Sequence, residues 1–230
     1  MVSVAIMQPY FLPYIGYFQT MLAVDKYVVY DDVQFIKGGW INRNNLLING
    51  QKRLFTISLA GASANKSINA ISVGDDFVKF RRTVVMNYAR APFLEPVLEM
   101  LDEILNFDDR NLAQFIGNSL EVVRNYLGIT TEILYSSALP GDAELKGEAR
   151  VIAICKRLDA KTYVNSIGGM DLYARENFQA NGIDLKFLRT EFIEYPQPAP
   201  VFVPGLSILD VLMSNPPARV STMLKSYVFV

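Results

Sequence analysis

Histidine is absent from this chain and cysteine occurs once. Without histidine there is no Ser-His-Asp or Cys-His nucleophile system, and no zinc site of the usual His-containing kinds. A single cysteine excludes an intrachain disulfide and a thiolate cluster. Cys155 lies inside the apolar helical pattern RVIAICKRL, which reads as a buried, inert thiol. No stretch reaches the roughly 18 apolar residues that a membrane span needs. The start lacks the basic region, apolar segment and small-residue cleavage site of a secretory leader, so a cytoplasmic protein is expected. The formal net charge is −1, which gives no broad pull toward nucleic acid or anionic membrane. Recognition of a phosphate has to be local, and proton transfer falls to Asp, Glu, Lys, Tyr or water.

What is present is a chain able to bury a core: 51% of its 230 residues are hydrophobic and 20% charged. The length fits one α/β domain, 1–230, with a helical insertion over 75–128. Residues 2–8 are almost all apolar, as in a strand buried on both faces. Ile15, Phe18, Met21 and Leu22 follow at helical spacing, and 26–31 reads as a second strand, which together make a right-handed βαβ unit. Residues 40–59 predict a hairpin turning at Asn49-Gly50. Asp75 or Asp76 is placed to cap the first helix of the insertion, and Asp108 or Asp109 a later one. Further strands are expected at 131–136, 161–165 and 183–188, with a helix over 144–158. Gly168-Gly169 is expected to open a helix ending at Asn181-Gly182, and the last ten residues another. The result is a roughly five-stranded parallel sheet, for which the order 3-2-1-4-5 brings the first and fourth strand ends together.

Ligands of such sheets bind beyond the carboxyl ends of the strands. Strand one ends in Gln8-Pro9-Tyr10, strand two in Tyr30-Asp31-Asp32, and the fourth in Asn165-Ser166-Ile167-Gly168-Gly169. Asp31 or Asp32 can serve as general base, magnesium ligand or acceptor of a sugar hydroxyl; the plainer alternative is a solvated pair capping a turn. Asn165, Ser166, Gly168 and Gly169 can cradle an anion on free N–H groups, or simply form a helix cap. Arg43 with Asn42 and Asn44 offers one bidentate donor and two amides, and Trp40 an aromatic face for a base or sugar; a surface hairpin with a half-buried Trp is the alternative. Lys146 and Arg150, four apart, share one helical face and can clamp a diphosphate, or merely line a solvated edge. Among the aromatics that crowd the first turn, Tyr10 and Tyr17 are the ones expected to face a ligand.

The blocks MQPYFLPYIGYFQ, VDKYVVYDDVQFIKGGWINRN, KTYVNSIGGMDLY and LSILDVLMSN resemble the WbqC-like family of bacterial O-antigen and surface-polysaccharide clusters, with little of the likeness in 75–128. The resemblance implies a cytoplasmic enzyme of polysaccharide building-block synthesis, a glycyl or other acyl transferase acting on an amino sugar. A looser likeness is to the Rossmann-like layout of HIGH-type nucleotidylyltransferases, with Pro13-Tyr14-Ile15-Gly16-Tyr17 at the motif; both histidines and a KMSKS-like lysine loop are missing. The leading expectation is transfer of an acyl or aminoacyl group to the amine of a nucleotide-linked sugar. The partner is then a nucleotide sugar, and the co-substrate an activated acyl donor, or ATP with magnesium. The oligomeric state is left open, homo-oligomers included. The alternatives are a nucleotidylyltransferase-like enzyme and a non-catalytic sugar-nucleotide-binding protein.

Overall fold

The computed structural model describes residues 1–141 and 144–230. Strand β1 (Val2–Met7) leads through an aromatic turn into helix α1 (Ile15–Leu22) and strand β2 (Lys26–Val29). A hairpin follows, β3 (Arg43–Ile48) and β4 (Gln51–Thr56), and then a small ribbon of β5 (Leu59–Ala60) and β6 (Ser72–Val73). Helices α2 (Val78–Asn87), α3 (Leu94–Leu105) and α4 (Leu112–Tyr126) come next. Alternation then resumes with β7 (Glu132–Tyr135), α5 (Gly147–Arg157), β8 (Ala160–Ser166), α6 (Arg175–Ala180) and β9 (Asp184–Thr190). The chain closes with α7 (Ile208–Ser214), α8 (Pro217–Leu224) and β10 (Tyr227–Phe229).

The main sheet has six strands in the order β10-β9-β8-β1-β2-β7, parallel except for β10. Count and order differ from the five-stranded expectation by this added edge. Where a terminal helix was expected, α8 stops at Leu224, and Tyr227–Phe229 pairs antiparallel with Thr190–Leu188. Alternate residues of β1 feed two cores. Ala5 joins the larger one with α1, α3, α4 and α7, whereas Val4 and Ile6 join the smaller one under α5 and α6. Burial on both faces explains why β1 is a near-continuous apolar run. Gly16 is needed where α1 meets β9, because a Cβ there would stand 2.3 Å from the Thr190 hydroxyl.

The hairpin turns at Asn49 (φ 51°) and Gly50 (φ 73°), the left-handed pair that matches strand twist. Asn111, not Asp108 or Asp109, caps α4, and its side chain accepts from the N–H groups of Ala113 and Gln114. Asp109 acts one step upstream, accepting from the N–H of Asn111. Gly168-Gly169 does not open an α-helix. The pair sits in a 3-10 turn, Ile167–Leu172, and α6 begins only at Arg175. Gly169 is held tight against the Asn165 amide, 2.4 Å from the position of an added Cβ, and glycine itself disfavours the α-helical start. Among the described residues, no helix is long and apolar enough to cross a membrane.

Candidate functional site

The carboxyl ends of β9, β8, β1, β2 and β7 form one rim, and β1 and β8 meet where the chain direction of the sheet build-up reverses. Strand β2 ends at Val29, so the alternation that would send Asp31 and Asp32 to opposite faces has lapsed. Both carboxylates reach the Ser136 hydroxyl that follows β7, Asp31 at 3.0 Å and Asp32 at 2.5 Å. That hydroxyl has one proton, so it donates to one carboxylate at a time.

The two aspartates are otherwise unlike. Asp31 is fully buried and accepts from the Ser137 N–H (3.0 Å), the Ser137 hydroxyl (2.6 Å) and the Asn69 amide (3.4 Å) besides Ser136. These bonds make it a strut between β2, the Ser136–Ala138 turn and Asn69. Asp32 keeps 21% of its side chain exposed and forms an ion pair with Arg150, whose side chain is only 8% exposed. The Arg150 guanidinium also lies 5.2 Å from the centre of the Tyr30 ring, a cation–π distance. Burial works against the charge of Arg150, but the hydrogen bond and ion pair with Asp32, together with Tyr30, outweigh it and raise its pKa. Its Nε–H is buried and has no acceptor among the described residues. Lys146 does not join Arg150. It is the exposed residue preceding α5, outside the helix, so the two do not share a helical face as a clamp.

At the ends of β1 and β8 the contacts are internal. The Gln8 carbonyl accepts from the Tyr17 hydroxyl at 2.9 Å. Tyr17 is buried between Tyr10 and Tyr27, with ring centroids at 5.7 and 5.4 Å, and does not face a ligand. Asn165 is buried, and its oxygen accepts the Ser166 N–H at 2.8 Å, which removes that donor from any cradle.

On the hairpin side the rim opens into a cavity of about 280 Å³. Tyr10 and Tyr14 after β1, Phe192 after β9, Trp40 before β3, Asn45 in β3 and Lys52 in β4 line it. Trp40 is 48% exposed, and the Arg43 guanidinium lies 5.7 Å from its ring centre while Arg43 Nε donates to the Gly39 carbonyl at 2.6 Å. Burial raises the pKa of both Tyr10 and Tyr14, so both stay neutral phenols. Asn44 also lines the cavity, with its amide donating to the Leu12 carbonyl at 2.7 Å, whereas Asn42 does not and donates to the Ile57 carbonyl at 2.9 Å. Thus Tyr10 and Trp40 meet in one cavity, whereas Gln8, Asp31, Asp32, Arg150, Gly168 and Gly169 do not line it. A larger cavity, about 560 Å³ between Met86–Pro92 and Pro196–Pro198, includes none of the residues expected from sequence. Among the described residues no three of His, Cys, Asp and Glu converge as a metal-binding group.

Sequence reasoning missed Ser136, Ser137 and Asn69, which hold the carboxylates, and Asn45 and Lys52 in the cavity. The serines were visible as a polar pair ending an apolar strand, EILYSS. Asn45 was visible as the last of three polar residues that open the hairpin strand RNNLLI.

The profile of the WbqC-like protein family matches residues 8–222. A relative of similar length is the uncharacterized protein Rv1507c of Mycobacterium tuberculosis (strain ATCC 25618 / H37Rv), 28% identical over 221 residues that cover 93% of this chain and 94% of the relative. No solved structure matches the chain. The match takes in strands β2 to β9, the rim from Gln8 onward and the hairpin cavity, and the chain belongs to the WbqC-like protein family.

Proposed function

We propose that this protein is a cytoplasmic transferase that moves an acyl or aminoacyl group onto the amine of a nucleotide-linked amino sugar, in the building of a surface polysaccharide. The observation that carries the reading is Asp32: a carboxylate at the strand-end rim, partly open to solvent, and fixed by Ser136 and the buried Arg150. Family membership supports the general class. The sugar amine attacks the carbonyl carbon of an activated acyl donor. As the C–N bond forms, the carbonyl π electrons move to oxygen and Asp32 takes the amine proton. Collapse of the tetrahedral intermediate restores C=O and expels the donor's leaving group with the bonding pair. Arg150, cationic and desolvated, is suited to the negative charge on the carbonyl oxygen or on the sugar's diphosphate, where charge-assisted bonds are strong. Asp31, buried and held by Ser137 and Asn69, keeps the rim in shape.

A second reading, a sugar-nucleotide-binding protein without turnover, is favoured by one fact: both carboxylates already have partners inside the protein. One experiment separates the two. The protein is incubated with UDP-, dTDP- or GDP-linked amino sugars and thioester, aminoacyl-tRNA or ATP-plus-acid donors, and the sugar's mass is followed. Transfer that falls by about a hundredfold or more in Asp32→Asn supports general-base catalysis. Binding without any mass change supports the second reading, and an Asp32→Asn variant of full activity removes Asp32 from the mechanism.

A further inference from the structure

We propose that the cavity between the β3–β4 hairpin and the ends of β1 and β9 is a nucleobase slot, with Asn45 reading the base edge and Lys52 meeting the first phosphate. The inference rests on the reading of the rim as a nucleotide-sugar site and names where the nucleotide lies.

Three observations carry it. First, the walls are aromatic. Trp40, Tyr10, Tyr14 and Phe192 surround about 280 Å³, a volume in which one planar ring can stack. Trp40 is 48% exposed although large and apolar, as expected of a side chain that a ligand covers. Second, Asn45 is only 8% exposed and among the described residues its side-chain amide makes no hydrogen bond, while its carbonyl accepts from the Ser207 N–H and its own N–H donates to the Asn44 side chain. The amide atoms are not sealed but reached by solvent from the cavity, so a ligand there can take the place of that water and pair with them. The amide presents one acceptor and two donors side by side, the complement of the donor–acceptor edge of a base and not of a lipid or an aliphatic acid. Third, Lys52 lines the cavity at an exposed position and among the described residues has no carboxylate partner, which leaves a local cation on a chain of net charge −1. A base in the slot with its ribose directed outward brings the first phosphate to that ammonium.

The slot also has the right relation to Asp32. It is bounded by residues that follow β1 and β9, and Asp32 follows β2. Strands β9, β8, β1 and β2 are consecutive, so three spacings of about 4.8 Å span this part of the rim. A ligand with a base at one end and a reacting sugar at the other is extended enough to use both places.

Trp40 is the single tryptophan, so its fluorescence reports the slot alone. The purified full-length protein is titrated with UMP, AMP and GMP, with uridine, and with ribose 5-phosphate, and each titration is repeated by calorimetry. The expected result is that at least one nucleoside monophosphate quenches Trp40 and ribose 5-phosphate does not. Lys52→Ala, at an exposed position, raises the Kd for that nucleotide about tenfold and leaves the nucleoside within about twofold. Asn45→Asp, which keeps the shape and replaces donors by acceptors, changes the order of preference among the bases. Equal quenching by ribose 5-phosphate overturns the proposal. Calorimetric binding of a nucleotide sugar with Trp40 unperturbed and Lys52→Ala unaffected also overturns it, while leaving the transferase reading in place. Nucleotide binding in the slot with no acyl transfer under any donor supports the slot and removes the transferase. Absence of nucleotide binding by both methods removes both.

Discussion

Asp31 and Asp32 are neighbours with identical side chains, yet one is sealed among four donors and the other faces solvent beside an arginine. The pair was legible in the sequence as carboxylates delivered to a rim by an apolar strand. Their division of labour was not, because it depends on Ser136, Ser137 and Asn69, which are 38 or more positions away. The same holds for Tyr17, which local crowding made a ligand candidate and which packing buries. Cys155 is the reverse case, since the helical pattern alone placed it in the core. Burial pushes its thiol up from 9.0 to about 12. Ellman's reagent at pH 8 should therefore leave it unmodified in the native protein and label it promptly in urea. From about pH 9 upward the unfolded chain releases this proton while the folded chain keeps it, so stability should fall with rising pH, and Cys155→Ala should lessen that slope in urea titrations.

At the scale of elements, patterns with a local cause were readable. The hairpin turn follows from the left-handed tolerance of Asn49-Gly50, and β1 from its unbroken apolar run. Caps were readable in type and not in position: an acidic residue was expected before α4, and Asn111, two residues beyond Asp109, accepts the free N–H groups instead. Asn111 also donates to the Asn69 carbonyl at 2.6 Å, which ties the helix start to the loop that supports Asp31. Asn111→Ala should cost about 1 kcal/mol from the cap alone, measured as a lower urea midpoint with unchanged slope. The 3-10 turn at Gly168-Gly169 and the strand β10 escaped a local reading. The first is imposed by the Asn165 amide packed on Gly169, and the second by an unsatisfied edge of β9 that only a distant segment can pair.

Across the whole molecule, one buried carboxylate joins parts that lie far apart in the chain. Asp210 in α7 is inaccessible and accepts from the hydroxyls of Tyr88 (2.8 Å) and Tyr195 (2.6 Å) and from the Gln197 amide (2.8 Å). Burial first, and then the Asp210 charge, raise both phenols, which keeps them protonated as donors. The end of α2, the proline-rich stretch after β9 and α7 are thereby fastened together, and Tyr88 also accepts from the Leu47 N–H of the hairpin at 3.3 Å. Asp210→Ala strands two buried phenol donors at once, while the Gln197 amide keeps the Val203 carbonyl, and should destabilise the protein by about 3 kcal/mol in urea unfolding. Because the stretch beyond β9 carries Phe192, the same variant should also weaken nucleotide quenching of Trp40.

The five parallel strands, the hairpin turn, the buried thiol and the exclusion of histidine chemistry were settled by residue order, since each arises from neighbours a few positions apart or from composition. The partners of Asp32, the sealing of Asp31, the aromatic slot and the unpartnered Asn45 amide arose from contacts between segments up to about half the chain apart or more. Burial and hydrogen-bond satisfaction are properties of those contacts, and they exist only once the sheet has brought its strand ends to one rim.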